Sequence, residues 1–160
     1  MKKIVLTVIS VLVIVLFASC SENIRIPEVS TAVDGDAAVT YNGTDYLCHI
    51  TYVNNRTASV ELQSPDSLKG LTFRRTQDGQ SFALNKLLCK SSCFRFGESC
   101  IGTQIMQLFD GIKPDRIKFV SQKGELFLFS AKDNTAMTFL TDSEGHIKTL
   151  SAPNLTIDFP

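Results

Sequence analysis

Cys48, Cys89, Cys93 and Cys100 are the side chains of this chain best suited to chemistry. Cys89-x3-Cys93-x6-Cys100 is a tight cluster, and thiols so close together form a local bridge in an oxidising compartment. Four cysteines allow three pairings, and their spacing does not choose among them. Zinc is the other use of such a cluster. It asks for a second close pair of ligands, yet His49 and His146 both stand far off in sequence. The expectation is one disulfide among Cys89, Cys93 and Cys100, with no metal and no other cofactor. Cys48 and His49 are neighbours, so on a strand they point to opposite faces and make no nucleophile–base pair. Asp66, Asp78, Asp110 and Asp133 fall at turns or helix ends, where Asp serves the backbone. No set of residues here reads as an enzyme's.

A fifth cysteine has a different setting. Met1-Lys2-Lys3 is a charged start, residues 4–17 are apolar except Thr7 and Ser10, and Ala18-Ser19 are small. That order is the order of a secretory signal, and the apolar run is shorter than the roughly 20 residues that span a bilayer. Phe17-Ala18-Ser19-Cys20 resembles the bacterial lipobox, with Phe17 where Leu is usual. The resemblance implies cleavage after Ser19 and a lipid on Cys20. The chain then divides into a signal peptide (1–19), a lipidated Cys20 with a flexible tether (20–36) and one domain (37–160). Two or more acyl chains anchor stably, so the domain is expected on the outer face of the cell membrane, tethered rather than spanning. Ser21 after Cys20 permits outer-membrane sorting if the cell is Gram-negative.

Acids and bases balance at 16 each over the whole chain, and loss of Lys2 and Lys3 leaves an excess of acids. A nucleic-acid binder needs a basic face, so nucleic acid is not an expected partner. There are 11 Phe and no Trp; Phe carries no polar handle and suits dry interiors or apolar ligands.

The elements that position these residues read as strands. In residues 58–73, ASVELQSPDSLKGLTF, Ala58, Val60 and Leu62 alternate with polar residues. Pro65, Asp66 and Gly70 break the pattern and Leu71 and Phe73 restart it, as in two antiparallel strands joined by a structured loop. Tyr46, Cys48, Ile50 and Tyr52 share a face; Phe119, Phe127, Phe139 and Ile157 sit at inward positions of later strands. Asn42-Gly43 marks a hairpin turn. Phe127 and Phe129 alternate with Leu126 and Leu128, so both faces of that strand look covered. Residues 37–41 make the first strand, and 87–99 read as an irregular lid or a poor strand. Residues 103–112 predict a short helix capped by Thr103, its stripe being Ile101, Ile105, Leu108 and Ile112. Eight or nine strands and one helix are expected. The fold class is mainly β (α+β): a strongly curved antiparallel meander, a half-barrel whose concave face a short central helix covers.

Residues 64–73, SPDSLKGLTF, resemble a segment of short LolA-like lipoproteins of Gram-positive bacteria. The ending is similar too: Met137-Thr138-Phe139, the Glu144-Gly145 turn, then residues 151–157, SAPNLTI. The resemblance covers most of 41–160. It implies an unclosed β-barrel with a helical plug over an apolar concavity. In carriers of the family that concavity holds acyl chains, and other relatives act as envelope sensors. This chain has no long helix after the tether, and its cysteine cluster has no counterpart in the carriers.

Two functional readings stand side by side. In the first, the tethered domain binds a lipid, an acyl chain or another hydrophobic ligand, as receptor or sensor. The cavity would be lined by Ile50, Tyr52, Val60, Leu62, Phe73, Phe82, Ile105, Leu108, Phe119, Phe127, Phe139 and Ile157. In the second, the same residues are ordinary core, and the domain binds another envelope protein. Arg74-Arg75 could meet lipid head groups or simply edge a strand.

Overall fold

A computed structural model describes residues 25–85, 87–91, 99–132 and 136–160. The leader with Cys20, Cys93 and the turn expected at Asp133-Asn134 lie outside the described residues.

The described residues build one open antiparallel sheet of eleven strands. They are β1 (Val33–Tyr41), β2 (Thr44–Asn54), β3 (Thr57–Leu62), β4 (Thr72–Thr76), β5 (Gly79–Leu84), β6 (Leu87–Ser91), β7 (Ile117–Lys123), β8 (Leu126–Ala131), β9 (Thr138–Thr141), β10 (Ile147–Ala152) and β11 (Leu155–Asp158). Their order in space is β6-β5-β4-β3-β2-β1-β11-β10-β9-β8-β7. Two meanders, β1–β6 and β7–β11, are joined through the β1–β11 pair, where Val39 faces Ile157 and Tyr41 faces Leu155. The middle of the sequence therefore supplies both edges of the sheet. A connection from β6 to β7 has to pass from one edge to the other, and it carries the helix α1 (Ile101–Gly111) over one face.

Alternation decides which residues meet that helix. Cys48, Ile50 and Tyr52 on β2 lie opposite Leu62, Val60 and Ala58 on β3, and all six are buried. Phe127 and Phe129 on β8 face the same way, as do Phe139 on β9 and Leu150 on β10. The β1–β2 turn takes positive φ at both Asn42 (49°) and Gly43 (77°), which matches the strands' right-handed twist and suits Asn-Gly.

Eleven strands replace the eight or nine expected, and four further expectations need correction. The first strand starts at Val33, so residues 33–36, expected in the tether, are paired backbone; Asp34 and Asp36 accept hydrogen bonds from β2 side chains there. Residues 87–91 form the regular strand β6, paired along its length with β5. The two outward leucines of β8 are not covered, Leu126 being exposed and Leu128 half-buried, because the helix lies on the other face. Finally, the helix starts two residues early, with Cys100 at its N-cap. Thr103 is inside it, and its hydroxyl is buried with no hydrogen-bond partner among the described residues.

The helix is also rotated relative to the expected stripe. Ile101, Ile105 and Ile112 are buried as expected, but Phe109, Gly102 and Met106 are buried with them while Leu108 is only half-buried. Gly102 explains part of this. A Cβ on it would lie 2.7 Å from the Cβ of Phe73, so only glycine lets the helix sit this close to β4.

Candidate functional site

The face predicted to bind a ligand is the face under α1. Ile50, Val60, Leu62, Ile105, Phe139 and Ile157 are each 1% exposed or less, so they touch side chains of this chain on every side. Tyr52, Phe73 and Phe127 are buried with them in one continuous core. Phe82, Leu108 and Phe119 pack against that core without being enclosed by it. Phe82 belongs to β5 and Phe119 to β7, near the two ends of the sheet. Burial of this kind is what the hydrophobic effect rewards, at about 1.5–3 kcal/mol for each large side chain.

Aromatic rings hold the centre. Phe109 of the helix stacks on Tyr52 with centroids 5.0 Å apart and meets the edge of Phe159 at 6.4 Å. Phe129 and Phe139 stack across β8 and β9 at 5.1 Å.

A polar cluster fixes the helix end. Arg75 on β4 donates from Nη1 to Asp110 Oδ2 (2.7 Å) and from Nη2 to Asp110 Oδ1 (2.8 Å). Tyr52 donates its hydroxyl to Asp110 Oδ1 at 2.8 Å. Asp110 lies in the last turn of α1, where a negative charge opposes the helix dipole. The guanidinium offsets that charge, and two parallel bonds give the contact a fixed direction. Burial and the neighbouring Asp110 push the Tyr52 phenol well above its usual range. Arg74, next along the strand, points away from this cluster and is exposed. The two arginines read from sequence as one basic pair thus have separate roles. Arg75 and Asp110 are 35 residues apart in the chain, and no local pattern joins them.

Among the described residues no two cysteines are joined, and Cys93 lies outside them. Cys48, Cys89 and Cys100 are all free. Cys89 is exposed on an edge strand and Cys100 is half-buried at the helix start, so the local bridge is not formed between them. Burial pushes the Cys48 thiol up to about 12, which keeps it protonated and unreactive. His49 is on the opposite face of β2. Its Nδ1 lies 2.8 Å from Asp36 Oδ1 and its Nε2 lies 3.2 Å from Asp34 Oδ1. Asp36 holds the imidazole above its usual range, and His49 with Gln63 holds the Asp36 carboxyl below its own. Among the described residues no group of His, Cys, Asp and Glu is gathered to hold a metal, and no helix is long and apolar enough to cross a membrane.

Set against protein-family models, curated proteins and solved structures, the chain matches none.

Proposed function

We propose that this chain is a membrane-anchored extracytoplasmic lipoprotein whose half-barrel works through its surface, on another protein of the cell envelope. One observation carries the choice between the two readings made from sequence. The concave face is filled by the chain's own side chains, from Ile50 and Leu62 on the sheet to Ile105 and Phe109 on the helix. A resident acyl chain would have to displace a helix held by Arg75, Tyr52 and the close Gly102–Phe73 contact. The lipobox-like Phe17-Ala18-Ser19-Cys20 supports the anchor, and Ser30, bonded to Gly145, supports a short leash between it and the domain.

The ligand reading keeps one observation in its favour. Phe82 and Phe119 remain half-buried near the sheet ends, so a hydrophobic ligand has apolar surface to meet there. Native mass spectrometry of the full chain extracted from membranes separates the readings. A mass carrying only the anchor on Cys20, with no uptake of a fluorescent fatty acid, is the expected result. A lipid released in one-to-one amount on denaturation would favour the ligand reading instead. Palmitate labelling that persists in Cys20→Ala would remove the anchor.

A further inference from the structure

The outer face of β4, β5 and β6 carries a cavity of about 570 Å³. That is within the range of small-molecule sites, roughly 300–1,000 Å³. It lies on the side of the sheet away from α1, since its lining includes Thr72, Arg74 and Thr76 and omits the inward Phe73 and Arg75.

Strand register arranges most of the lining in three rows; Gln80, opposite the inward Arg75, also borders the cavity. Thr72 faces Ala83, which faces Leu88. Arg74 faces Ser81, which faces Lys90. Thr76 faces Gly79, beside Asp78 in the β4–β5 turn. Neighbouring strands are about 4.8 Å apart, and same-face residues along a strand are about 7 Å apart. The two cations therefore stand about 10 Å from each other with a small hydroxyl between them. Among the described residues neither Arg74 nor Lys90 is in an ion pair. Like charges on one short row repel, so an anion between them relieves a cost that the free protein bears.

The rows differ in chemistry. One offers a methyl and an exposed leucine, the next two cations, the last a hydroxyl and a carboxylate acceptor. A sugar carrying a carboxylate presents the same three things: a C–H face, an acid and hydroxyl donors. We propose that this groove is a binding site for an acidic saccharide, with its carboxylate between Arg74 and Lys90, its C–H face on Ala83 and Leu88, and its hydroxyls toward Thr76 and Asp78. The inference stands on the groove alone and does not depend on the lipid anchor or on the filled core.

Calorimetric titration of the full chain, reconstituted in neutral phosphatidylcholine vesicles, with oligogalacturonate tests it, beside a neutral malto-oligosaccharide of matched length, inorganic phosphate and added phosphatidylglycerol vesicles. One site per chain is expected for oligogalacturonate, with affinity at least about tenfold weaker in Arg74→Ala/Lys90→Ala, which removes charge-assisted hydrogen bonds. Both side chains are exposed, so that variant keeps the fold. Ala83→Leu, which changes no charge, is expected to weaken binding by closing the apolar row. Undiminished binding in the double variant, or in Ala83→Leu, overturns the proposal, the latter reducing the groove to a diffuse charge effect. Equal binding of the neutral sugar overturns it too. So does variant-sensitive binding of phosphate or of vesicles with none of oligogalacturonate, which would assign the cations to a free oxyanion or a lipid head group.

Discussion

The two halves of the sheet hold the helix by different means. The β1–β6 half grips it with directed contacts: Arg75 and Tyr52 on Asp110, Phe73 against Gly102, and Tyr41, whose hydroxyl donates to the Ser99 carbonyl at 2.7 Å. The β7–β11 half and the tail after it offer apolar surface: Met137 beside Gly111, and Phe159 against Phe109. Directed bonds fix where the helix lies and how it is turned. Apolar packing supplies stabilisation but tolerates sliding. Position is therefore set by one half, while depth of burial draws on both.

The largest expected effect comes from the residue that serves both halves. Phe109→Ala removes the ring between Tyr52 and Phe159 and should lower stability by about 3–5 kcal/mol, read by urea denaturation. A loss under about 1 kcal/mol would mean that the halves are held together without the helix. A smaller effect, specific to the first half, is expected from Arg75→Leu. It strands the Asp110 carboxylate, and because the two side chains are 15% and 29% exposed the cost falls to about 2 kcal/mol, below that of a fully buried pair. Adding Asp110→Asn to Arg75→Leu should recover part of the loss. No recovery would show that Arg75 acts by packing alone.

The smallest effect is on the outer face, where charge titrates. Asp36 and Asp34 stabilise the His49 imidazolium, so its folded pKa lies above 6.5. That stabilisation is complete below 6.5 and is lost as pH rises through the higher folded value. Asp36 is held below 3.8, so its share is present above 3.8 and is lost as pH falls through the lower folded value. The Tm difference between the native chain and His49→Asn should be greatest between pH 3.8 and 6.5 and shrink on either side. A difference that stays constant from about pH 5 to about pH 9 would detach His49 from the carboxylates.

Much of the fold was legible because alternation is local. The period of two at Cys48-Ile50-Tyr52, at Val60-Leu62 and at Phe127-Phe129 assigned the inner face correctly, and the open antiparallel sheet with, among the described residues, one α-helix followed. The rotation of the helix was not legible. Leu108 and Phe109 are adjacent and both apolar, so spacing alone admits either. The choice is made by Gly102 and Asp110, whose partners Phe73 and Arg75 are distant in sequence. The candidate site was legible as an apolar face but not as a filled one, since the pattern that lines a cavity is the pattern that lines a core. The outer groove went unseen for a related reason. Its rows exist only once β4, β5 and β6 are in register; in sequence Arg74 pairs by adjacency with Arg75, and nothing links it to Ser81 or Lys90.

The pairing of β1 with β11 bears on how the protein is made. Until β11 has been made, the outer hydrogen-bonding edge of β1 has no mate. An unfinished copy can complete the first meander but not the seam between the two.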